Sequence, residues 1–126
     1  NTHNHFFSCL QEAWTQLPEE YAQRFPSVEA LRKWSLVRAG FATERSIVAD
    51  SPEQATQIGA FVRPSDPYAV ITVKGNVVTV YTAMSQSRKA MPAKEFNSSK
   101  QAVLDIVSQM IGVSTDELSK NSGKAA

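Results

Sequence analysis

Residues 68–83 read YAVITVKGNVVTVYTA, a pattern that predicts a β-hairpin. Two arms, residues 68–73 and 77–83, are rich in Val, Ile, Thr and Tyr, and Gly75-Asn76 forms a two-residue loop between them. One face of the ribbon is apolar and can pack on helices; its residues are Ala69, Ile71, Val73, Val78 and Val80. An isolated hairpin is only marginally stable, so a third strand or a covering helix must complete it.

Upstream of the hairpin the apolar residues recur at helical spacing. Residues 4–17 carry one apolar stripe, and Pro18 opens a second, short helix. Ser27 is placed to cap a third helix that runs to Gly40. The short apolar run at residues 47–49 predicts a strand, which is the third strand that the hairpin needs.

Helix-start signals also flank the hairpin. Ser51 and Gln54 form a capping box for a helix over residues 52–61. Ser98 begins a second capping box, which opens a C-terminal amphipathic helix ending at Gly112. The order of elements predicts an α+β fold, with N-terminal helices packed on a small antiparallel sheet, a β-hairpin plus a third strand, and the amphipathic helix at the C-terminus.

Composition limits the class of protein. The chain has 126 residues, 42% of them apolar and 20% charged, which predicts a single α+β domain over residues 1–118 and a disordered tail over 119–126. Its formal charge of +1 gives no whole-molecule attraction to nucleic acid or membrane. No apolar run approaches the roughly 18 residues of a membrane span. The single cysteine excludes an internal disulfide, so we expect a cytoplasmic protein with no membrane contact.

Motifs for catalysis and for metal binding are weak. His3 and His5 open the first helix with no acidic residue or cysteine at a ligand-like spacing, so they are interpreted as solvated residues. Cys9 lies beside the apolar stripe and is expected in the core. A nucleophile elbow and a phosphate-binding glycine loop are both missing. We therefore expect no enzymatic activity, no cofactor and no metal, with a metal-dependent hydrolase as an alternative.

The distribution of charge is more informative than its total. Residues 32–45 and residues 84–100 each carry four cations against one carboxylate. If the two segments converge, they form a patch that follows a phosphate backbone, and Tyr68, Tyr81 and Phe96 offer stacking faces for unpaired bases. The residues predicted to contact nucleic acid are Arg32, Arg38, Ser85, Ser87, Arg88, Lys89 and Lys94. The alternative is that these are ordinary solvated charges.

The predicted helices carry more apolar surface than a three-stranded sheet can cover. Phe6, Phe7, Trp14 and Trp34 lie on apolar stripes and are expected to pack in the core. The remaining surface leaves two possibilities open. One is a homodimer, and the other is the docking of a host or phage protein on an apolar face such as the C-terminal helix.

Three stretches of the chain resemble a family of phage and prophage proteins of unassigned function, and more distantly the NinB (Orf) recombination proteins of lambdoid phages. The residues that carry the resemblance are His3, Phe6, Phe7 and Leu10 at the start, Leu31, Arg32, Leu36, Ala39, Gly40 and Phe41 in the third helix, and Ser85, Ser87, Met91, Glu95 and Phe96 after the hairpin. The shared order spans about 110 residues of the chain.

The resemblance to NinB implies a dimeric accessory protein that binds single-stranded DNA, helps to load a recombinase and cooperates with single-strand-binding protein. This chain has Asn4 and His5 where the family has basic residues, and Pro92 where the family tends to have an acidic one. Two functions are therefore expected as alternatives. One is a phage or prophage accessory protein that binds single-stranded DNA in recombination, and the other is a protein-interaction module without nucleic-acid contact.

Overall fold

The computed structural model describes residues 2–87, 89–118 and 120, and the side chains of residues 4–87, 89–118 and 120. Its helices are α1 (Thr2–Thr15), α2 (Glu19–Ala22), α3 (Val28–Arg38), α4 (Pro52–Val62) and α5 (Ala93–Ile111). Its strands are β1 (Ala42–Val48), β2 (Val70–Lys74) and β3 (Val77–Ala83). The strands form an antiparallel sheet in the order β1-β3-β2. This arrangement, with helices on both sides of the sheet, confirms the predicted α+β fold.

The hairpin forms as its sequence predicts, although β2 begins at Val70 rather than at Tyr68. Gly75 has a φ of +58°, a backbone conformation that residues with a side chain rarely adopt. This explains why a glycine stands in the two-residue loop. The third strand differs from the prediction, because β1 begins at Ala42 and not at residue 47. β1 is an edge strand, and six of its seven residues are exposed. Its sequence therefore lacks the alternation of apolar and polar residues by which a half-buried strand is predicted.

Hydroxyl caps fix the starts of two helices as predicted. Ser27 Oγ accepts a hydrogen bond from the Ala30 amide at 3.1 Å, and Ser51 Oγ accepts one from the Gln54 amide at 3.1 Å. The capping box expected at Ser98 is wrong, because α5 begins five residues earlier, at Ala93. Pro92 stands immediately before α5, where its missing N–H and fixed φ suit the helix start.

The two sides of the sheet are covered differently. On one side α4 brings Ala55 and Gly59 against the apolar face of the hairpin, and a Cβ on Gly59 would lie only 3.2 Å from Val73 Cγ2. On the other side α1, α3 and α5 enclose the larger core, and Ala83 at the end of β3 packs against that core. The fully buried residues of this core include Leu10, Leu31, Leu36, Val103 and Val107.

The four aromatic residues expected in the core do not all lie there. Phe6 is 2% exposed, whereas its neighbour Phe7 is 38% exposed. This corrects the prediction for Phe7, which points about 100° around the helix from Phe6 and lies partly in solvent. Trp14 and Trp34 are half-buried at the boundary of the larger core. The expectation for Cys9 is confirmed, because its side chain is buried.

No helix among the described residues is both long and apolar enough to cross a lipid bilayer. The tail expected at residues 119–126 lies outside the described residues, apart from Lys120.

Candidate nucleic-acid interface

A groove lies between α3 and the paired strands β2 and β3, on the side of the sheet opposite α4. Its floor on the sheet is formed by Val70 and Tyr81, which are directly opposite each other in the strand register and therefore point to the same side. Trp34 of α3 divides the groove into two hollows with volumes of about 380 and 250 Å³, and Trp34 and Val70 line both of them. We refer to this feature as the α3 groove, with a larger and a smaller hollow.

The larger hollow combines aromatic and cationic side chains from distant parts of the chain. Arg24 comes from the loop after α2, and Arg63 and Tyr68 come from the connection between α4 and β2. Arg63 Nη1 donates a hydrogen bond to the carbonyl oxygen of Ala69 at 2.8 Å, which holds the chain immediately before β2. Arg63 therefore helps to place Tyr68 while its own charge remains at the rim of the hollow.

The smaller hollow has a similar composition on a smaller scale. It is lined by Trp34, Val37, Arg38, Val70 and Tyr81. Arg38 is exposed at the last turn of α3, where a cation is also favourable for the helix dipole. A ring, a cation and an apolar floor thus meet here too.

The position of Trp34 is set by aromatic packing beneath it. The Phe25 ring lies 5.3 Å from the Trp34 ring at an interplanar angle of 61°, an edge-to-face contact. Phe25 is in turn fixed by Trp14, whose indole Nε1 donates to the Phe25 carbonyl oxygen at 2.9 Å. Helix α1 therefore supports the ring that divides the groove.

Three cations lie over the rings of the groove. The guanidinium carbons of Arg24 and Arg38 are 5.3 and 6.0 Å from the Trp34 ring centre, and Lys33 Nζ is 4.6 Å from the Tyr68 ring centre. Within the described part of the chain, the ion pair found is Arg32–Glu29, so these cations are held by rings rather than by carboxylates. On the neighbouring strand β1, Glu44 pairs with Tyr81 and therefore points to the same side of the sheet as the α3 groove.

This combination of groups suits a ligand with flat rings and negative charges. Aromatic faces stack with bases of any sequence, and arginine and lysine contact phosphate oxygens. A cation over an exposed ring contributes only about 0.5–1 kcal/mol, so a phosphate can draw it away and expose the ring to a base.

Arg32, one of the residues predicted to contact nucleic acid, is engaged inside the protein. Its guanidinium forms an ion pair with Glu29, and its Nη1 donates to Gln86 Oε1 at 2.8 Å. Gln86 Nε2 then donates to Ser99 Oγ of α5 at 2.9 Å. With its side chain 13% exposed, Arg32 ties α3 to the segment after β3 and does not line the α3 groove.

Ser85, Ser87, Lys89 and Lys94, four of the predicted site residues after the hairpin, do not line the α3 groove. Ser85 Oγ donates to Ser87 Oγ at 3.4 Å, and Ser87 Oγ also accepts from the Ala90 amide at 3.2 Å, so these hydroxyls shape a turn. Lys89 and Lys94 are exposed, and Arg88 lies outside the described residues. Among the predicted contact residues that the structure describes, Arg38 alone lines the two hollows.

The basic segment at residues 84–100 also loses one of its cations to the interior. Lys100 is 8% exposed, and its Nζ lies 4.7 Å from the ring centre of Phe96. The cation–π contact compensates part of the cost of burying this charge. Lys100 therefore does not add an exposed cation to this segment, and Phe96, predicted as a stacking face, is half-buried and does not line the α3 groove.

Sequence reasoning did not select Trp34, Arg24 and Arg63 as binding residues. Trp34 and Arg38 are four residues apart on one helical face, a local signal that was available. Arg24 stood in a net acidic segment, and Arg63 stood beside a helix-ending proline. Arg24 and Arg63 come close to Trp34 only because of the way α2, α3 and α4 pack. A local sequence pattern therefore does not predict that they share one groove.

His5 and Cys9 of α1 contact each other locally and do not form part of a metal centre with the other described residues. Cys9 Sγ and His5 Nε2 are 3.6 Å apart, one helical turn from each other. Among the side chains that the structure describes, no three His, Cys, Asp or Glu lie close enough together to hold a metal ion.

Comparison of this chain with protein-family models, with curated proteins and with solved structures finds no match.

Proposed function

We propose that this protein binds single-stranded nucleic acid in the α3 groove and acts as a non-enzymatic accessory protein. The observation that supports the proposal is the convergence of three rings and four cations along one groove. Those residues are Trp34, Tyr68 and Tyr81, with Arg24, Lys33, Arg38 and Arg63. They come from four separate segments of the chain, which is more than a solvated helix face would bring together.

Unpaired bases fit this groove better than a duplex does. In a duplex the base faces are stacked on each other, whereas in a single strand they are free to stack on protein rings. Each such stack contributes about 1–3 kcal/mol, which exceeds the contribution of a cation over an exposed ring. The balance therefore favours bases on Trp34, Tyr68 and Tyr81, with the displaced cations moving to phosphates.

The small net charge of the chain does not oppose this binding. Phosphates respond to the local field, in which the four cations of the groove face two nearby carboxylates, Glu44 opposite Tyr81 and Asp66 before the lining residue Pro67. Neutralising three or four phosphates releases counterions, so the logarithm of the binding constant is expected to fall against the logarithm of salt concentration with a slope of about −2 to −3.

The biological setting is part of the same proposal. The proposed setting is a phage or prophage protein that acts beside a recombinase and single-strand-binding protein, which is what a resemblance to NinB would imply. Cytoplasmic action and homodimerisation belong to that proposal, and light scattering at micromolar concentration tests the dimer.

The alternative function is docking of a host or phage protein on an apolar surface such as the C-terminal helix, and that helix gives it little support. The apolar side of α5 is packed within the larger core, where Val103 and Val107 are fully buried. Leu104 and Met110 are partly buried against the same core. A protein partner would therefore find its apolar surface not on α5 but on exposed side chains such as Val48 and Phe61.

A salt-series titration of fluorescently labelled oligothymidine tests the proposed function. Arg38→Ala and Lys33→Ala should each weaken binding and lower the salt slope by about 0.7. Arg45→Ala is the matched control, because Arg45 is exposed and pairs with Val80, on the opposite side of the sheet from the α3 groove. It should change binding little.

Two outcomes would overturn the proposal. One is the absence of oligonucleotide binding at low salt, and the other is an Arg38→Ala variant that binds no more weakly than the Arg45→Ala control. An acidic peptide that binds where oligothymidine does not would instead favour a protein partner.

A further inference from the structure

We infer that the α3 groove holds two consecutive nucleotides, one on each side of Trp34, so that the recognised unit is a dinucleotide. This inference rests on the proposed function and specifies the ligand of the same site. It follows from a repetition in the side chains that line the two hollows.

Each hollow contains the same kinds of group. Both share the Trp34 ring and the apolar Val70 floor. The larger hollow adds Tyr68 with Arg24 and Arg63, and the smaller hollow adds Tyr81 and Arg38. A base can stack on a tyrosine and on the tryptophan ring, and its phosphate can contact an arginine. Each hollow supplies these three groups.

The cations repeat the pattern as well. The arginine that lies over Trp34 from the larger hollow is Arg24, at 5.3 Å, and the one from the smaller hollow is Arg38, at 6.0 Å. We place the phosphate of each nucleotide on the arginine that lines its hollow. Trp34 is thus shared by two sets of contacts of the same kinds, and a base in each hollow would stack on the protein rather than on the other base.

A nucleotide beyond the second has no ring left to stack on in this groove, and it gains only long-range attraction to the cations. Binding should thus increase steeply from one nucleotide to two and slowly afterwards. A base that stacks on protein is expected to contribute about 5- to 150-fold to affinity.

The first experiment compares 5′-phosphorylated oligothymidines of one, two, three, six and twelve nucleotides, measured by calorimetry at low salt. We expect an increase of about tenfold or more from one to two, and of about threefold or less from two to three. Equal affinity for one and two nucleotides, or a constant gain with each added nucleotide, overturns the inference.

The second experiment assigns the two sides with dinucleotides that carry one abasic position. Tyr68→Leu should weaken binding about fivefold or more when a base is present in the larger hollow, and should have almost no effect when that position is abasic. Tyr81→Leu should respond to the other abasic position. Both substitutions keep an apolar side chain, and thermal melting checks that the variants fold.

The failures of the two proposals are distinguishable. If the twelve-nucleotide probe does not bind, the proposed function fails. If it binds through Arg38 but the two tyrosine variants respond to the same abasic position, the function stands and the two-nucleotide inference is wrong.

Discussion

The two sides of the sheet are covered by helices whose contacting side chains differ in size. On the α4 side, Ala55 and Gly59 let the helix approach Ile71, Val73 and Val78 until the contact is closed. On the α3 side, the large ring of Trp34 stands between the helix and the strands, and hollows remain on both sides of it. Small residues thus give a packed layer, whereas a large ring fixed from below gives a groove.

This difference separates stability from binding. Substitutions on the α4 side remove or overfill packed volume, so they should change the free energy of unfolding. Substitutions in the α3 groove alter rings and charges that are still partly in contact with solvent, so they should change affinity first. The four predictions below test this division, from the largest expected effect to the smallest.

Val78→Ala should lower the free energy of unfolding by about 2–3 kcal/mol, because Val78 is fully buried under α4 and its removal leaves a cavity. Urea denaturation followed by circular dichroism measures the change. Oligothymidine affinity of the folded fraction should stay within about twofold of the wild-type value. A loss of affinity without a loss of stability would contradict the division.

Gly59→Val should destabilise the protein by about 1–3 kcal/mol, since a Cβ at this position already meets Val73 Cγ2 at 3.2 Å and a branched side chain overfills the layer. The same denaturation measurement applies. Ala60→Val is the control, because Ala60 is the next residue of α4 and is exposed. A smaller loss of stability in Gly59→Val than in the control would show that α4 is not tightly packed.

Trp34→Leu should weaken oligothymidine binding by about 1–3 kcal/mol, because the shared stacking ring is lost. Its cost in unfolding free energy should be about 1 kcal/mol, since leucine retains part of the contact with Phe25. Fluorescence anisotropy and urea denaturation of the same preparation give both values. The reverse pattern, a large loss of stability with unchanged affinity, would make Trp34 a core residue only.

Glu44→Gln should strengthen binding by about 0.2–1 kcal/mol at low salt, because it removes the carboxylate opposite Tyr81. The gain should disappear at high salt, where the repulsion is screened. Glu53→Gln provides the comparison, since Glu53 is exposed in the first turn of α4 on the other side of the sheet. Equal gains from both variants would show that only total charge matters.

The parts of the fold that were predictable depend on short-range chemistry. The hairpin loop, the Ser27 and Ser51 caps and the end of α5 at Gly112 are each determined by a few adjacent residues. The extent of β1 was not predictable in this way. An edge strand is held by backbone pairing to β3, and its exposed side chains show no apolar period.

The candidate site was predictable only in part, for the same reason. Tyr68, Tyr81 and Arg38 were selected as stacking and basic residues, and the structure places all three in the α3 groove. Arg32 was also selected, yet Glu29 three residues earlier on the helix was a local sign that it would be paired. Its second partner, Gln86, becomes a neighbour only through tertiary packing.

The most direct measurement of the central claim is the emission of Trp34 during a titration with twelve-nucleotide oligothymidine. The chain has two tryptophans, so the emission of the Trp34→Leu variant, which retains Trp14, is subtracted from that of the wild-type protein to give the emission of Trp34. A base stacked on the indole quenches its fluorescence. We predict saturable quenching whose midpoint coincides with that of a labelled-oligonucleotide titration and rises with salt. Oligonucleotide binding that leaves the emission of Trp34 unchanged would contradict the account, because the strand would then lie outside the α3 groove.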